Sequence, residues 1–520
     1  MSQKTISRNV AFLFAASTLA AHATTWYVAP SGSDSKDGKT ALTAYASPSK
    51  GIAAASAGDT VLLAGGTYAV SARIVISANG TAAKPIHLLA EDAYTKRAVL
   101  DFTTQGVGNS NQGIQLTGNY WHIKGLDIEN AGDNGMIVDG GSYDTIEWCS
   151  FHENSDAGLQ LRHGATHDYI LNCDSYWNYD AGTLGGNADG FSPKLDVGDS
   201  IVFVGCRSWG NSDDGWDGYL KTAGTSYPDN VTTIIENCWA FNNGYYHGDP
   251  TSSKNNSEMN GNGFKMGGSP AKDQRHPHVL KRCLSFGNKA KQFDQNNNPG
   301  SMTLLNCSAY GSGTNYSVTM ALASGSTLTV ENCLSIGGGK VSLLSGDVEK
   351  TNSWTTGFSA SASDVQSIDT TGVRGPRKSD GSLPDVKFMH LASTSKLIDA
   401  GTKLTGIAYN GTAPDLGAFE TGSSSTPTTG IEATSPSYVS GLQIHADASG
   451  ILHIATGLQI SALKVSVRDL AGRTLRAADL GPQLAGSQAE MSLSGLRPGL
   501  YLVSASTSTG LSQNTKLVVR

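Results

Sequence analysis

Four aspartates and one lysine carry the chemistry that the residue types and spacings of this chain offer. Asn211-Ser212-Asp213-Asp214-Gly215-Trp216-Asp217-Gly218 crowds three carboxylates together, Asn187-Ala188-Asp189-Gly190-Phe191 adds another upstream, and Gly263-Phe264-Lys265 follows. Two carboxylates about 5 Å apart repel by roughly 3 kcal/mol at an effective dielectric of about 20. A patch of four therefore takes up protons or holds a cation, and flexible oxygen donors of this kind suit Ca2+. Asp156 and Asp180 share the turn position of Asp213, which makes that aspartate a turn former as well. Asp189, Asp214 and Asp217 have no such repeat. Lys265 in isolation reads as a solvated surface residue. Beside a divalent cation its pKa falls toward the neutral amine, a form able to accept a proton.

The elements that must bring these residues together are legible in the cysteines. Cys149, Cys173, Cys206, Cys238, Cys283, Cys307 and Cys333 each follow a short apolar stretch and precede a turn, and five of them have an asparagine five residues later. Their separations are 24, 33, 32, 45, 24 and 26 residues. A shortest period with insertions between similar units marks a solenoid, whose successive coils stack about 4.8 Å apart. Leu126 takes the cysteine position one coil earlier. An inward column of free thiols is expected rather than disulfides, because strands stacked one above another need not offer disulfide geometry. Zinc is disfavoured, since no closely spaced cysteine pair exists. Asn154, Asn178, Asn211, Asn243 and Asn288 are expected to form a side-chain ladder at one turn.

Coils align on the residue pair after each turn: Gly135-Met136, Gly158-Leu159, Gly190-Phe191, Gly218-Tyr219 and Gly263-Phe264. In this frame Asp189 and Asp217 lie on adjacent coils. Ile137, Gln160, Ser192 and Leu220 become the earlier equivalents of Lys265, which points outward one coil beyond Asp217.

The rest of the chain frames this core. Residues 1–23 read as an export signal, with Lys4 and Arg8 before the apolar run Val10–Ala16 and Ala21-His22-Ala23 as cleavage site. A helix around Ser49 to Ala57 is expected to cap the open end of the stack. The expected domains are a β-helix over 24–420, a Ser/Thr/Pro/Gly linker over 421–430, and a small β-sandwich over 431–520. Abundant glycine, 62 residues, suits tight turns and an all-β fold. A formal net charge of −7 provides no basic field for nucleic acid, so an acidic polymer needs a local positive site. No later apolar run is long enough to span a bilayer.

At these residues the chain resembles the family 9 polysaccharide lyases, pectate lyases built as a right-handed parallel β-helix. The similar stretches are Asn187–Lys194, Ser212–Gly218, Gly263–Lys265 and Asn288–Asn298. The resemblance covers roughly residues 25–420. It implies Asp189, Asp213, Asp214 and Asp217 as ligands of a catalytic Ca2+, and Lys265 as the base in β-elimination on a uronate polymer such as polygalacturonate. Lys194, Lys289 and Lys291 are candidates for binding substrate carboxylates, and Trp177, Trp209 and Trp216 for stacking on sugar rings. Thr222–Asn230 and His247–Gly261 look like added loop length, and the second separates Asp217 from Lys265 along the chain. The C-terminal module resembles the sorting domains of type IX secretion in Val467–Arg473, Leu496–Tyr501 and Lys516–Arg520. This implies export to the surface or medium through the secretion machinery.

Two other readings of the same residues stay open at this point. A metal-independent polysaccharide hydrolase on a β-helix would use Asp213, Asp214 and Asp189 as acid and base. A non-catalytic surface adhesin would bind carbohydrate without cleaving it. A monomer is expected in each case.

Overall fold

The computed structural model describes residues 23–221, 229–344, 348–404 and 407–422. Towards the C-terminus it describes 442–446, 451–456, 463–468, 473–480, 488–493, 496, 499–507 and 512–519. The export signal, the linker beyond residue 422 and the inserted stretch 222–228 lie outside the described residues.

Each coil contributes one short strand to each of three sheets. A twelve-stranded sheet runs from Thr25–Val28 to Val348–Lys350, and two ten-stranded sheets run from Ile74–Ile76 and Gly66–Ala69 to Lys340–Ser342 and Leu334–Ile336. Neighbouring strands pair in parallel between coils, as in Ile201–Val204 against Thr233–Glu236. The alternation of buried and half-buried side chains along these strands sends every second residue into one continuous core. Short strands suffice because each coil is covered above and below by its neighbours.

The expected columns are present. All seven cysteines are free and buried, and the Cys149 and Cys206 backbone N–H groups donate to the sulfurs of Cys173 and Cys238. The side-chain amides of Asn154, Asn178, Asn211 and Asn243 each donate to the asparagine oxygen one coil on, ending at Asn288, at 3.0, 2.8, 3.0 and 2.9 Å. The capping helix spans Pro48–Ala54. Proline at its start is pre-organised for the helix. Ile52 closes the core against Val28 and Val61.

The segment 353–420 folds back over the third sheet, burying Phe388, Leu397 and Leu416 against Trp209, Trp239, Phe241 and Phe286. Arg377 of this segment and Arg207 both pair with the buried Asp174. In the last part of the chain, a three-stranded and a four-stranded antiparallel sheet enclose their own core of Leu452, Ile454, Val465, Val467 and Val503.

Candidate active site

Three consecutive coils build the site on the outer face of a ten-stranded sheet. Strands Phe191–Pro193, Trp216–Asp217 and Phe264–Lys265 pair with Phe191 opposite Trp216, Trp216 opposite Phe264, and Asp217 opposite Lys265. The three aromatic rings point inward, with centroids 4.9 and 4.8 Å apart. The residues before the matching glycines, Asp189, Asp214 and Asn262, therefore form one column at the turn. Gly190 and Gly215 leave no room for a side chain: a Cβ would lie 2.0 Å from the Ser208 hydroxyl and 2.5 Å from the Gly263 carbonyl. That tight approach holds Asp189 and Asp214 in register.

This register corrects the sequence alignment by three residues. Gly215-Trp216, not Gly218-Tyr219, is the equivalent of Gly190-Phe191. Asp217 is thus not stacked on Asp189; it sits on the strand, and it replaces Leu220 as the equivalent of Lys265. Asp217-Gly218-Tyr219 mimics Asp189-Gly190-Phe191 in sequence. The core decides otherwise, because Trp216 fills the space between Phe191 and Phe264 while Tyr219 stays partly exposed.

The side chains then converge. Lys265 Nζ lies 2.9 Å from Asp214 Oδ2 and 3.2 Å from Asp217 Oδ1. Lys194 Nζ lies 2.5 Å from Asp189 Oδ2 and 3.3 Å from Asp217 Oδ2. Asp189, Asp214 and Asp217 each bring a carboxylate oxygen within 4.8 Å of the others. Asp214 Oδ1 accepts from the Asn262 backbone and side-chain amides at 2.6 and 2.8 Å, and Ser192 Oγ donates to Asp189 at 2.8 Å. Asp213 Oδ2 accepts from the Asn187 backbone at 3.0 Å, while its Oδ1 is buried without a hydrogen-bond partner.

Burial and mutual repulsion shape the charges. Burial pushes the Asp189 carboxyl up to about 7, with Lys194 pulling it down and Asp217 and Asp214 adding to the rise. Burial likewise raises Asp213 well above the usual carboxylate range, reinforced by Asp214 and Asp189. For Asp217 the burial effect is outweighed by Lys265 and Lys194, and its carboxyl is held low. Burial disfavours the Lys265 ammonium, yet the carboxylates of Asp214, Asp217, Asp213 and Asp189 together hold it well above its ordinary value.

Of the sequence candidates, the structure brings Asp189, Asp214, Asp217, Lys194 and Lys265 together, while Asp213 lies at the same turn outside the converging set and accepts from the Asn187 backbone. Lys194 is buried between two carboxylates rather than standing at the surface. Lys289 bonds the Asn256 and Met259 carbonyls at 2.6 Å and so anchors the long inserted loop. Lys291 pairs with Asp294 at 2.9 Å, and Asp294 in turn neighbours Lys265 across the strands. Trp216 and Trp209 are core residues and cannot stack on sugars, whereas Trp177 stacks on His247 of the inserted loop. Ser192, Asn262 and Asp156 are the site residues that sequence reasoning left unused. Burial first, then Asp133 and Asp189, raise the Asp156 carboxyl to about 7 against the pull of Lys194. The column frame, applied beyond charged residues, could have flagged Ser192 and Asn262, whereas Asp156 was read only as a turn former.

Comparison with known proteins bears on the fold and the family. Residues 26–352 match the family model described as the Pel9A-like, right-handed β-helix region, and residues 448–520 match the secretion system C-terminal sorting domain. Pectate lyase L of Dickeya dadantii is 40% identical over 404 residues, covering 76% of this chain and 90% of that protein. Pectate lyase PEL9 of Emericella nidulans is 30% identical, covering 73% and 95%. The crystal structure of pectate lyase Pel9A superposes with a TM-score of 0.68 at 38% identity, covering 77% of this chain and 97% of the other. A rhamnogalacturonan lyase gives 0.62 at 28% identity, covering 71% and 97%.

Proposed function

The chain belongs to the Pel9A-like right-handed β-helix family of polysaccharide lyases, and from that premise we propose that it is a calcium-dependent pectate lyase using Lys265 as its base. The pectate lyases among its relatives support polygalacturonate as the substrate. Its sorting domain makes it a secreted or cell-surface protein, and among the described residues no helix is long and apolar enough to cross a membrane.

One observation carries the mechanistic reading: three buried carboxylates offer oxygens within 4.8 Å of one another, with Lys265 Nζ 2.9 and 3.2 Å from two of them. The donor set fits Ca2+, since every group is a hard oxygen and no imidazole or thiolate joins it. Asp189, Asp214 and Asp217 would hold the ion, and the unpartnered Asp213 Oδ1 supplies a further oxygen at the same turn. Bound calcium supplies charge neutralisation at the C6 carboxylate of the sugar, which acidifies the neighbouring C5 proton. With Asp214 and Asp217 holding a cation, Lys265 would lose the field that keeps it an ammonium, pass a proton to solvent and be available as a neutral base. Lys265 Nζ then accepts the C5 proton, the C5–H electrons form the C4–C5 double bond, and the C4–O bond breaks with its oxygen leaving on the other fragment and taking a proton from solvent. Asn262 and Ser192 keep Asp214 and Asp189 oriented throughout by their hydrogen bonds.

The test is incubation with polygalacturonate, with and without a chelator, followed by ultraviolet absorbance and reducing-end assay. Absorbance growth that stops with chelation is the expected result. New reducing ends without absorbance would mark hydrolysis and overturn the proposal.

A further inference from the structure

The twelve-stranded sheet, a different face from the one bearing the carboxylate cluster, has a groove of about 680 Å3. That volume lies within the range of small-ligand sites. Its floor is a row of outward side chains, His87, His122, Thr145 and Tyr169, paired strand to strand over four coils. At about 4.8 Å per step, the row has room for several linked rings. One wall is a ladder of rings: Tyr120 stacks on Tyr143 at 5.0 Å, and Tyr143 on His167 at 4.7 Å. The other wall is Trp148, with Ser379 and Asp380 of the folded-back segment beside it.

These rings stand where the backbone least suits them. Tyr120, Tyr143, His167 and Trp148 have φ of 58, 61, 59 and 52°. The left-handed region costs an ordinary L-residue about 1–2 kcal/mol. At the turn occupied by Trp148, the neighbouring coils use Gly125, Asn172, Gly205 and Asn237, residue types that tolerate this conformation. Strain of this kind concentrates at ligand clamps. Flat aromatic walls over a floor of hydroxyl and imidazole groups offer apolar contact and hydrogen bonds together, the two needs of a sugar ring.

Charge selects among sugars. Among the described lining residues the one lysine, Lys124, is paired with Glu147 at 2.8 Å, and Glu147 also bonds His122 at 2.8 Å. Burial holds the His87 and His167 imidazoles below their ordinary value and so neutral, and Asp380 adds a negative charge at the rim. Among the described residues that line the groove, a uronate chain would find no unpaired lysine or arginine. We propose that this groove is a second saccharide site, separate from the carboxylate cluster, which binds an uncharged oligosaccharide.

The test uses the full chain with Lys265→Ala to prevent cleavage, titrated calorimetrically with tetrasaccharides of galactose, arabinose and glucose and, separately, with tetragalacturonate in chelator. At least one uncharged tetrasaccharide is expected to bind saturably. Trp148→Asn and Tyr143→Asn, chosen because asparagine accepts the left-handed backbone, should each weaken that binding by about tenfold. In the chain that retains Lys265, the same two substitutions should leave lyase turnover on polygalacturonate unchanged. Absence of binding by every uncharged sugar, tighter binding of tetragalacturonate, or binding that survives both substitutions overturns the proposal. So does a loss of thermal stability in Trp148→Asn with binding intact, which would make the ring structural.

Discussion

At the scale of single residues, the site separates groups that react from groups that hold them. Among the described residues Lys265 is the amine placed against both Asp214 and Asp217. Lys265→Ala should therefore lower turnover by about a thousandfold while calcium binding, followed by isothermal titration, persists. Retained activity would reassign the base. The Asn262 side chain reaches the cluster through Asp214, whose Oδ1 also accepts from the Asn262 backbone. Asn262→Ala removes the side-chain bond, so its expected effect is a higher calcium requirement with near-normal turnover at saturating calcium. A calcium titration of initial rates distinguishes this from a loss of base. Lys265 was legible as an anomaly because its coil equivalents Ile137, Gln160 and Ser192 are uncharged. Asn262 was not, because asparagine is so common at turns that nothing in its type signals a role.

At the scale of elements, the asparagine ladder sets the stability of the coil stack. Asn211 accepts from the Asn178 backbone and side chain at 3.2 and 2.8 Å, and donates to Asn243. Asn211→Ala strands these buried groups, so an unfolding free energy lower by about 3 kcal/mol is expected in chemical denaturation. The clamp between the folded-back segment and the third sheet is more sensitive still. Asp174 pairs with both Arg207 and Arg377, and although burial raises its carboxyl, the two guanidiniums hold it below the usual range. Asp174→Ala leaves two buried cations and should cost about 3–5 kcal/mol. The ladder was predictable because its period is the period of the cysteines. The clamp was not, since Arg377 lies far from Asp174 in the chain and follows no repeat.

At the scale of the whole molecule, depth of burial controls the response to pH. His276 is fully buried; burial drives its pKa down to about 4, only partly offset by its bond to the Gly218 carbonyl. The imidazole is neutral in the folded chain and takes up a proton near 6.5 in the unfolded one. Its contribution to stability is thus complete above about pH 6.5 and is lost as the pH falls toward 4. Over that window the stability difference between the native chain and His276→Gln should shrink by about 3 kcal/mol, as read from denaturation curves at each pH. The sequence by itself determined the solenoid, the inward thiols, the ladder, the acidic residues of the cluster and the sorting module, because each repeats at a fixed spacing or sits in a contiguous stretch. It did not determine that Asp217 lies beside Lys265 rather than upon Asp189, that Lys194 is buried in the cluster, or that Trp216 is core. Those were decided by packing: three coils with unequal insertions have several registers compatible with their spacing, and only the fit of Phe191, Trp216 and Phe264 inside the helix selects one.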